Sequence, residues 1–307
     1  MTKKPASKPT SALIIGAGEI GRAVGHLLAK TDVKVELWDR DPSHLTCRRP
    51  LAELVPEANF VFLCVPSWAV RPVATQIKVN GLDRHAVVIC LAKGLERPTN
   101  LDMNAVLSAA LPHGQPRVLL AGPMLAEEIE QDLGAVAVAA SASSRARETV
   151  RDLFSGTSLR VETNPDPNSV AVASVLKNVY AVALGVADGL GWGGNRKGWL
   201  AAQAAAEMRQ ILRTLKANPD ILFATGGFAD LVATGFSRYS KNHQVGDDLV
   251  HCGGISVRSE GANALPGLNR LLRGKTGRYP LLAALTAVVM RRRPASAVFE
   301  RYFHESP

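Results

Sequence analysis

The sequence predicts an α/β domain with a mostly parallel sheet, followed by an all-α domain. Three observations predict it. A glycine turn sits between an apolar strand and a helix near the N-terminus. Short apolar runs alternate with helical stretches through the first half. Long helical patterns take over after a proline-rich break. The 307 residues suit two domains, and 47% hydrophobic residues are enough to fill their cores.

The elements follow in order. Residues 11–15 form a short apolar strand, Gly16-Ala17-Gly18-Glu19-Ile20-Gly21 follows, and residues 22–30 read as a helix. A second strand covers 33–38 and ends at Asp39. Further strands are expected over 60–65, 87–91, 118–121 and 135–140, with helices around 67–78, 101–111 and 144–154. This places a Rossmann-like domain over residues 11–164. Asn164-Pro165-Asp166-Pro167-Asn168 breaks the pattern and opens a helical substrate and catalytic domain over 165–307. Residues 1–10 are basic and rich in Pro, Ser and Thr. They lack the apolar core of a secretory signal and are expected to be a disordered tail. Residues 294–307 are expected to be peripheral.

The glycine turn has a chemical reading. It follows a strand, opens a helix and is followed by an acidic residue at the next strand end, which together make a dinucleotide-binding fingerprint. Gly16 permits the tight turn, Gly18 lets backbone approach a pyrophosphate, and Gly21 lets the helix pack on the strand. Free N–H groups at the helix N-terminus then face the phosphates. Asp39 would accept hydrogen bonds from the adenosine ribose and repel a 2′-phosphate, whereas Arg40 would attract one. The expected cofactor is NAD or NADP, with a lean to NAD.

Ligands of such sheets gather at the carboxyl ends of the strands. Val65-Pro66, Lys93-Gly94 and Gly122-Pro123 lie there. The next helical stretch, 169–188, is apolar almost all round, yet carries Lys177 and Asn178 in its middle. A lysine in such a helix is either snorkelling or functional. Farther along, Asp230, Thr234, Ser240, Lys241 and Asn242 concentrate hydrogen-bonding groups between Gly226, Gly227, Gly235 and Gly246.

Other classes fit less well. The histidines lack metal-ligand spacing, so no metal is expected. No GxSxG or Cys/His signature suggests acyl transfer. The net charge is +9, but aromatics are only 5% and no basic segment interleaves with them. A positive field that gathers anionic cofactors and phosphorylated substrates is preferred over nucleic-acid binding. Cys47, Cys64, Cys90 and Cys252 form no CxxC pair and are read as reduced and structural, which suits the cytoplasm. No uninterrupted apolar run reaches the roughly 18 residues of a membrane span.

In order along the chain stand GAGEIG, LAKGLE, AGPMLAEE, LKNVYAVALGVADGLG, GNRKGWL, FADLVAT, SKNHQVG and RSEGAN. From about residue 11 to about residue 265 this series resembles the bacterial NAD(P)-dependent glycerol-3-phosphate dehydrogenases. The TNPDPNSV segment is similar to the cyanobacterial branch. The resemblance implies reversible hydride transfer between NAD(P)H and dihydroxyacetone phosphate, giving sn-glycerol 3-phosphate for glycerophospholipid synthesis. It implies a homodimer with a small phosphorylated substrate and no nucleic acid or membrane segment.

The resemblance also implies roles. Lys177 matches the catalytic lysine, general acid in reduction and base in oxidation. Lys93 matches a substrate-binding lysine, and Asp230 the acid that holds lysine and substrate. Asn178 and Thr234 match supporting positions. Ser240, Lys241 and Asn242 match the phosphate site, with Gly122 and Met124 at the substrate edge. Glu19, Ile20, Ala126 and Glu260 fall at cofactor contacts, where Lys93 and Lys241 also reach. An unperturbed lysine titrates at about 10.4, so burial or a neighbouring cation, with Lys93 the candidate, must lower Lys177 for base catalysis.

Five departures from the family pattern stand out, one of them Gly227-Phe228-Ala229-Asp230-Leu231 where the family has GLGDL. Lys241 replaces an arginine, exchanging a bidentate fork for a point charge. Met124 replaces a serine, and Ile20 an aromatic. Asn195-Arg196-Lys197-Gly198-Trp199 stands for the usual NTKAA phrase, with Arg196 or Lys197 as candidates for a compensating cation at the phosphate. A reductase of a different small anionic ketone, or a dinucleotide-binding protein without catalysis, remain as alternatives.

Overall fold

The computed structural model describes residues 10–45 and 49–305. Cys47 and nearly all of the expected N-terminal tail lie outside the described residues. The chain runs β1 (Ser11–Ile15), α1 (Glu19–Leu28), β2 (Lys34–Trp38), α2 (Leu51–Leu54), β3 (Phe60–Leu63), α3 (Ser67–Val79), β4 (Val87–Cys90), α4 (Met103–Ala110), β5 (Arg117–Ala121), α5 (Ala126–Glu130), β6 (Ala135–Ala140), α6 (Ser144–Leu153) and β7 (Leu159–Asn164). Helices follow: α7 (Pro167–Gly189), α8 (Gly194–Thr214), α9 (Asp230–Gly235), α10 (Lys241–His251), α11 (Glu260–Leu271), α12 (Pro280–Val289) and α13 (Ala295–Glu305).

The strands form one seven-stranded sheet in the order β2-β1-β3-β4-β5-β6-β7, parallel except for the β5–β6 pair. Strand order reverses between β1 and β3, which opens the crevice where ligands of such sheets bind. Six strands stand where the sequence places them. The seventh, β7, was not anticipated. Its residues Leu-Arg-Val-Glu-Thr-Asn bury only Leu159 and Val161 at the sheet edge, so its apolar signal is two side chains long.

Alternation along the strands sorts the core into two layers. Ala12 and Ile14 face a cluster with Ala23, Val24, Leu27, Ile129 and Val150 from α1, α5 and α6. Leu13 and Ile15 face the other layer, which continues through α3 and α4 into α7 and the helical half. One core therefore joins the sheet to the helices beyond it.

α7 is the axis of the helical half. By length and composition it would cross a membrane, although no single apolar run suggested it, yet 94% of its most apolar window is buried in protein. Helices α8, α9, α10 and α11 pack around it. A helix apolar on all sides is what such a central position requires. The C-terminal stretch is less peripheral than expected. α13 docks with Phe299 fully buried, and Trp192, Trp199 and Phe303 cluster around it. Cys64 and Cys90 are buried, where lost hydration pushes both thiols up, whereas Cys252 is exposed.

Candidate active site

The site lies at the carboxyl edge of the sheet, where the glycine turn, the strand-end loops and α7 converge. The turn is held from beneath. Gly16 has φ +108°, and a Cβ there would stand 2.4 Å from the Cys64 carbonyl oxygen. A Cβ on Gly21 would stand 1.8 Å from the Gly16 carbonyl oxygen, so only glycine permits this strand–helix contact. The Asp39 carboxylate accepts from the Ala17 N–H at 2.7 Å and the Asp41 N–H at 2.9 Å, bracing the turn from β2. Arg40 is exposed beside it.

The cradle fits a dinucleotide. Gly18 caps α1 without a side chain, and no atom lies within 4 Å of where its Cβ would be. The first turn of α1 therefore has no side-chain cap and leaves room at Gly18, which suits an anion site. Glu19 opens the helix there. Ala126, at the start of α5, is buried where α5 packs on α1.

Lys177 is 4% exposed and Asp230 is 1% exposed. Burial on this scale excludes the snorkelling alternative. Lys177 Nζ donates to Asp230 Oδ1 at 2.8 Å and to Thr234 Oγ1 at 2.7 Å. Lys93 Nζ donates to Asp230 Oδ2 at 2.7 Å and to the Gly122 carbonyl oxygen at 2.7 Å. Asp230 is placed by a π-helical turn, Thr225–Ala229, directly before α9. Thr234 follows one helical turn later on the same face.

The electrostatics follow from this packing. Burial lowers the Lys177 pKa to about 8; Asp230 opposes the fall and Lys93 adds to it. Burial would raise Asp230, but the two ammonium groups more than offset it and hold the carboxyl below its usual range. Two cations on one anion leave the cluster with a net positive charge. Such a site stabilises a developing oxyanion and can deliver or accept a proton at Lys177 Nζ near neutral pH.

An amide relay ties this cluster to its neighbours. Asn178 Nδ2 donates to the Lys93 carbonyl oxygen at 2.7 Å, Asn242 Nδ2 to Asn178 Oδ1 at 2.9 Å, and the Gly261 N–H to Asn242 Oδ1 at 2.8 Å. Ser240 caps α10 by accepting from the His243 N–H. Glu260 accepts from the Ser67 N–H at 2.7 Å and its hydroxyl at 2.6 Å, and burial raises its pKa. A Cβ on Gly94 would stand 2.3 Å from Glu260 Oε2, so this loop must stay bare. Ser67 was not singled out from sequence; its position directly after Val65-Pro66, at a strand end, was the available signal.

A match to a family model decides the classification. Residues 166–300 match the C-terminal domain of NAD-dependent glycerol-3-phosphate dehydrogenase, and residues 42–147 match its N-terminal domain. The chain belongs to this family. Glycerol-3-phosphate dehydrogenase (NAD(P)+) of Synechocystis is 34% identical over 246 residues, covering 80% of this chain and 75% of the relative. The enzyme of the same name from Clostridium perfringens is 32% identical over 254 residues, covering 76% of each chain. The fold is that of the solved glycerol-3-phosphate dehydrogenase of Coxiella burnetii, with TM-score 0.85, 23% identity, and 97% and 99% of the two chains covered.

The departures from the pattern of the glycerol-3-phosphate dehydrogenase family have distinct fates. Ile20 and Met124 both pack against the apolar cluster beneath the sheet. Lys241 Nζ donates to Glu19 Oε2 at 2.9 Å, linking the first turns of α10 and α1. Arg196 is not available as a compensating cation. Its guanidinium lies 3.9 Å from the ring centroids of both Trp192 and Phe303 and donates to Glu300 Oε2 at 2.6 Å. The aromatic clamp follows from the docking of α13, which sequence periodicity alone did not place. Lys197 instead bonds Asp188 at 2.6 Å.

Proposed function

We propose that the protein is an NAD(P)-dependent sn-glycerol-3-phosphate dehydrogenase. It transfers hydride reversibly between NAD(P)H and the C2 carbonyl of dihydroxyacetone phosphate. The observation that carries this reading is the buried Lys177, held with Lys93 on the single carboxylate of Asp230. Residues 11–164 hold the cofactor and residues 165–307 supply most of the catalytic and substrate groups.

The bound nicotinamide supplies or takes the hydride. Gly16, Gly18 and Gly21 would receive the cofactor's pyrophosphate at the first turn of α1, with Glu19, Ile20 and Ala126 as further cofactor contacts. Asp39 takes the adenosine ribose, and Arg40 stands ready for a 2′-phosphate. Glu260, fixed by Ser67, borders the cofactor site together with Lys93 and Lys241. On the substrate side, Lys177 Nζ protonates the carbonyl oxygen as hydride arrives and takes the proton back in oxidation. Lys93 stabilises the oxygen's negative charge. Asp230 and Thr234 keep Lys177 aimed, and Asn178 keeps the Lys93 loop in place. The substrate phosphate sits at the first turn of α10, with Ser240, Lys241 and Asn242. Gly122 and Met124 form the substrate edge.

The free, buried Cys64 and Cys90 support a cytoplasmic enzyme, the reaction class supports a role in supplying glycerol 3-phosphate for glycerophospholipid synthesis, and a homodimer rests on the family resemblance alone. Met124 and the single point charge of Lys241 favour a second reading, reduction of a different small anionic ketone on the same scaffold. Steady-state kinetics with dihydroxyacetone phosphate and both NADH and NADPH test the assignment. Turnover supports it. Failure with dihydroxyacetone phosphate, alongside turnover of another ketone, overturns it in favour of the second reading.

A further inference from the structure

Asp188 lies at the end of α7, eleven positions beyond Lys177, and takes part in none of the contacts described for the catalytic cluster. Both of its carboxylate oxygens are nevertheless engaged. Oδ1 accepts from Lys197 Nζ at 2.6 Å, and Oδ2 faces His243 Nε2 at 2.6 Å. A carboxylate on that nitrogen selects the tautomer in which Nε2 carries the proton and donates. Burial would raise the Asp188 pKa, but Lys197 and His243 together hold it below the usual carboxylate range.

The three residues come from three elements: the end of α7, the first turn of α8 and the first turn of α10. His243 directly follows Asn242 and lies two positions beyond Lys241. The first turn of α10 is therefore fastened to α7 twice, by Asn242 on Asn178 and by His243 on Asp188. Between these fastenings the helices touch through backbone. A Cβ on Gly185 would stand 2.1 Å from the His243 carbonyl oxygen. A helix seated this closely has few alternative positions, and polar bonds at both ends of the contact select one of them.

We propose that Asp188 is a positioning residue for substrate phosphate. It acts through His243, with Lys197 as the counter-cation that keeps its carboxylate ionised. The inference rests on the placement of the phosphate at the first turn of α10. With Lys241 supplying only a point charge, the direction of the first-turn N–H groups matters more, and the Asp188–His243 bond sets that direction.

The test uses the full-length enzyme and the variants Asp188→Ala, His243→Ala and His243→Gln. Gln keeps a side-chain N–H donor; Ala does not. In Asp188→Ala and His243→Ala, KM for dihydroxyacetone phosphate and Kd for sn-glycerol 3-phosphate are expected to rise on the order of tenfold to a hundredfold, as for a displaced positioning group. kcat and cofactor KM are expected to stay within about twofold, and His243→Gln to restore affinity. Unchanged KM and Kd in both disruptive variants overturn the proposal. So does a fall in kcat that merely tracks the folded fraction, or a failure of His243→Gln to restore what His243→Ala loses. If the wild type does not turn over dihydroxyacetone phosphate, the functional reading fails by itself. Calorimetric affinity for inorganic phosphate then decides positioning: weakened in Asp188→Ala supports it, and unchanged overturns it.

Discussion

Lys93 and Lys177 are held on opposite oxygens of one carboxylate. Asp230 accepts from Lys177 on Oδ1 at 2.8 Å and from Lys93 on Oδ2 at 2.7 Å. The arrangement puts two ammonium groups on one carboxylate, one buried and one partly solvated. In the proposed mechanism, burial and this second cation bring Lys177 to about 8, where it serves as acid in one direction and base in the other.

Removing the buried lysine should stop the chemistry and spare the cofactor. Lys177→Met is expected to lower kcat by about 10²–10⁴-fold, the usual worth of a general acid–base group. Lys177→Arg should not rescue it, because a guanidinium does not give up its proton in this range. NADH binding, followed by fluorescence, should stay within about twofold. Wild-type kcat in Lys177→Met would refute the assigned role.

The pH profile should have opposite signs in the two directions. Lys177 titrates near 8 because burial lowers it. Oxidation needs the neutral amine and should rise as pH passes 8. Reduction needs the ammonium and should fall over the same range. Lys93→Met removes a repelling cation, so the inflection should move up. Asp230→Asn removes the opposing anion, so it should move down. Profiles of kcat with saturating substrates read both shifts.

Cofactor preference should respond to Asp39. Its carboxylate braces the glycine turn through the Ala17 N–H. Asp39→Asn keeps an acceptor oxygen but loses the charge that repels a 2′-phosphate. The ratio of kcat/KM for NADPH over NADH is expected to rise about tenfold, or roughly 1.4 kcal/mol. A ratio that stays put would place the discrimination elsewhere.

The Glu19–Lys241 pair should tune substrate affinity without affecting stability. Both side chains are 56% exposed, so the pair contributes only about 0–1 kcal/mol to folding. Glu19→Gln frees Lys241 for phosphate and should lower KM for dihydroxyacetone phosphate. Lys241→Arg restores a bidentate fork and should lower it further, whereas Lys241→Ala should raise it. Thermal midpoints should be unchanged throughout. Initial-rate kinetics at two ionic strengths check this, with the charge effects shrinking at high salt.

A stability effect is expected far from the chemistry. Glu207 is buried and accepts from the Leu281 and Leu282 N–H groups at 2.6 and 3.0 Å, capping α12, and from the Tyr180 hydroxyl at 2.7 Å. Burial raises its pKa. Glu207→Ala leaves these donors without a partner and should cost about 2–3 kcal/mol. That corresponds to a fall of roughly 3–5 °C in Tm, measurable by calorimetry. An unchanged Tm would show that the cap contributes nothing net.

The sequence alone determined the α/β order, the glycine turn and the chemical character of the residues that line the site. These are local properties. Gly16 must adopt positive φ, strands alternate with a period of two, and a strand-to-helix turn needs only its own residues to be recognised. Tertiary structure decided everything that depends on which distant groups meet. It buried Lys177 beneath α9, α10 and α11 rather than letting it snorkel, and so lowered its pKa. It sent Arg196 into the aromatic clamp of Trp192 and Phe303 rather than to the phosphate. It added β7, whose two inward side chains were too few to signal a strand. It also joined Asp188 to His243 across two helices that are separated in sequence. Burial and Coulomb energy depend on distance in space, and no pattern along the chain encodes that distance directly.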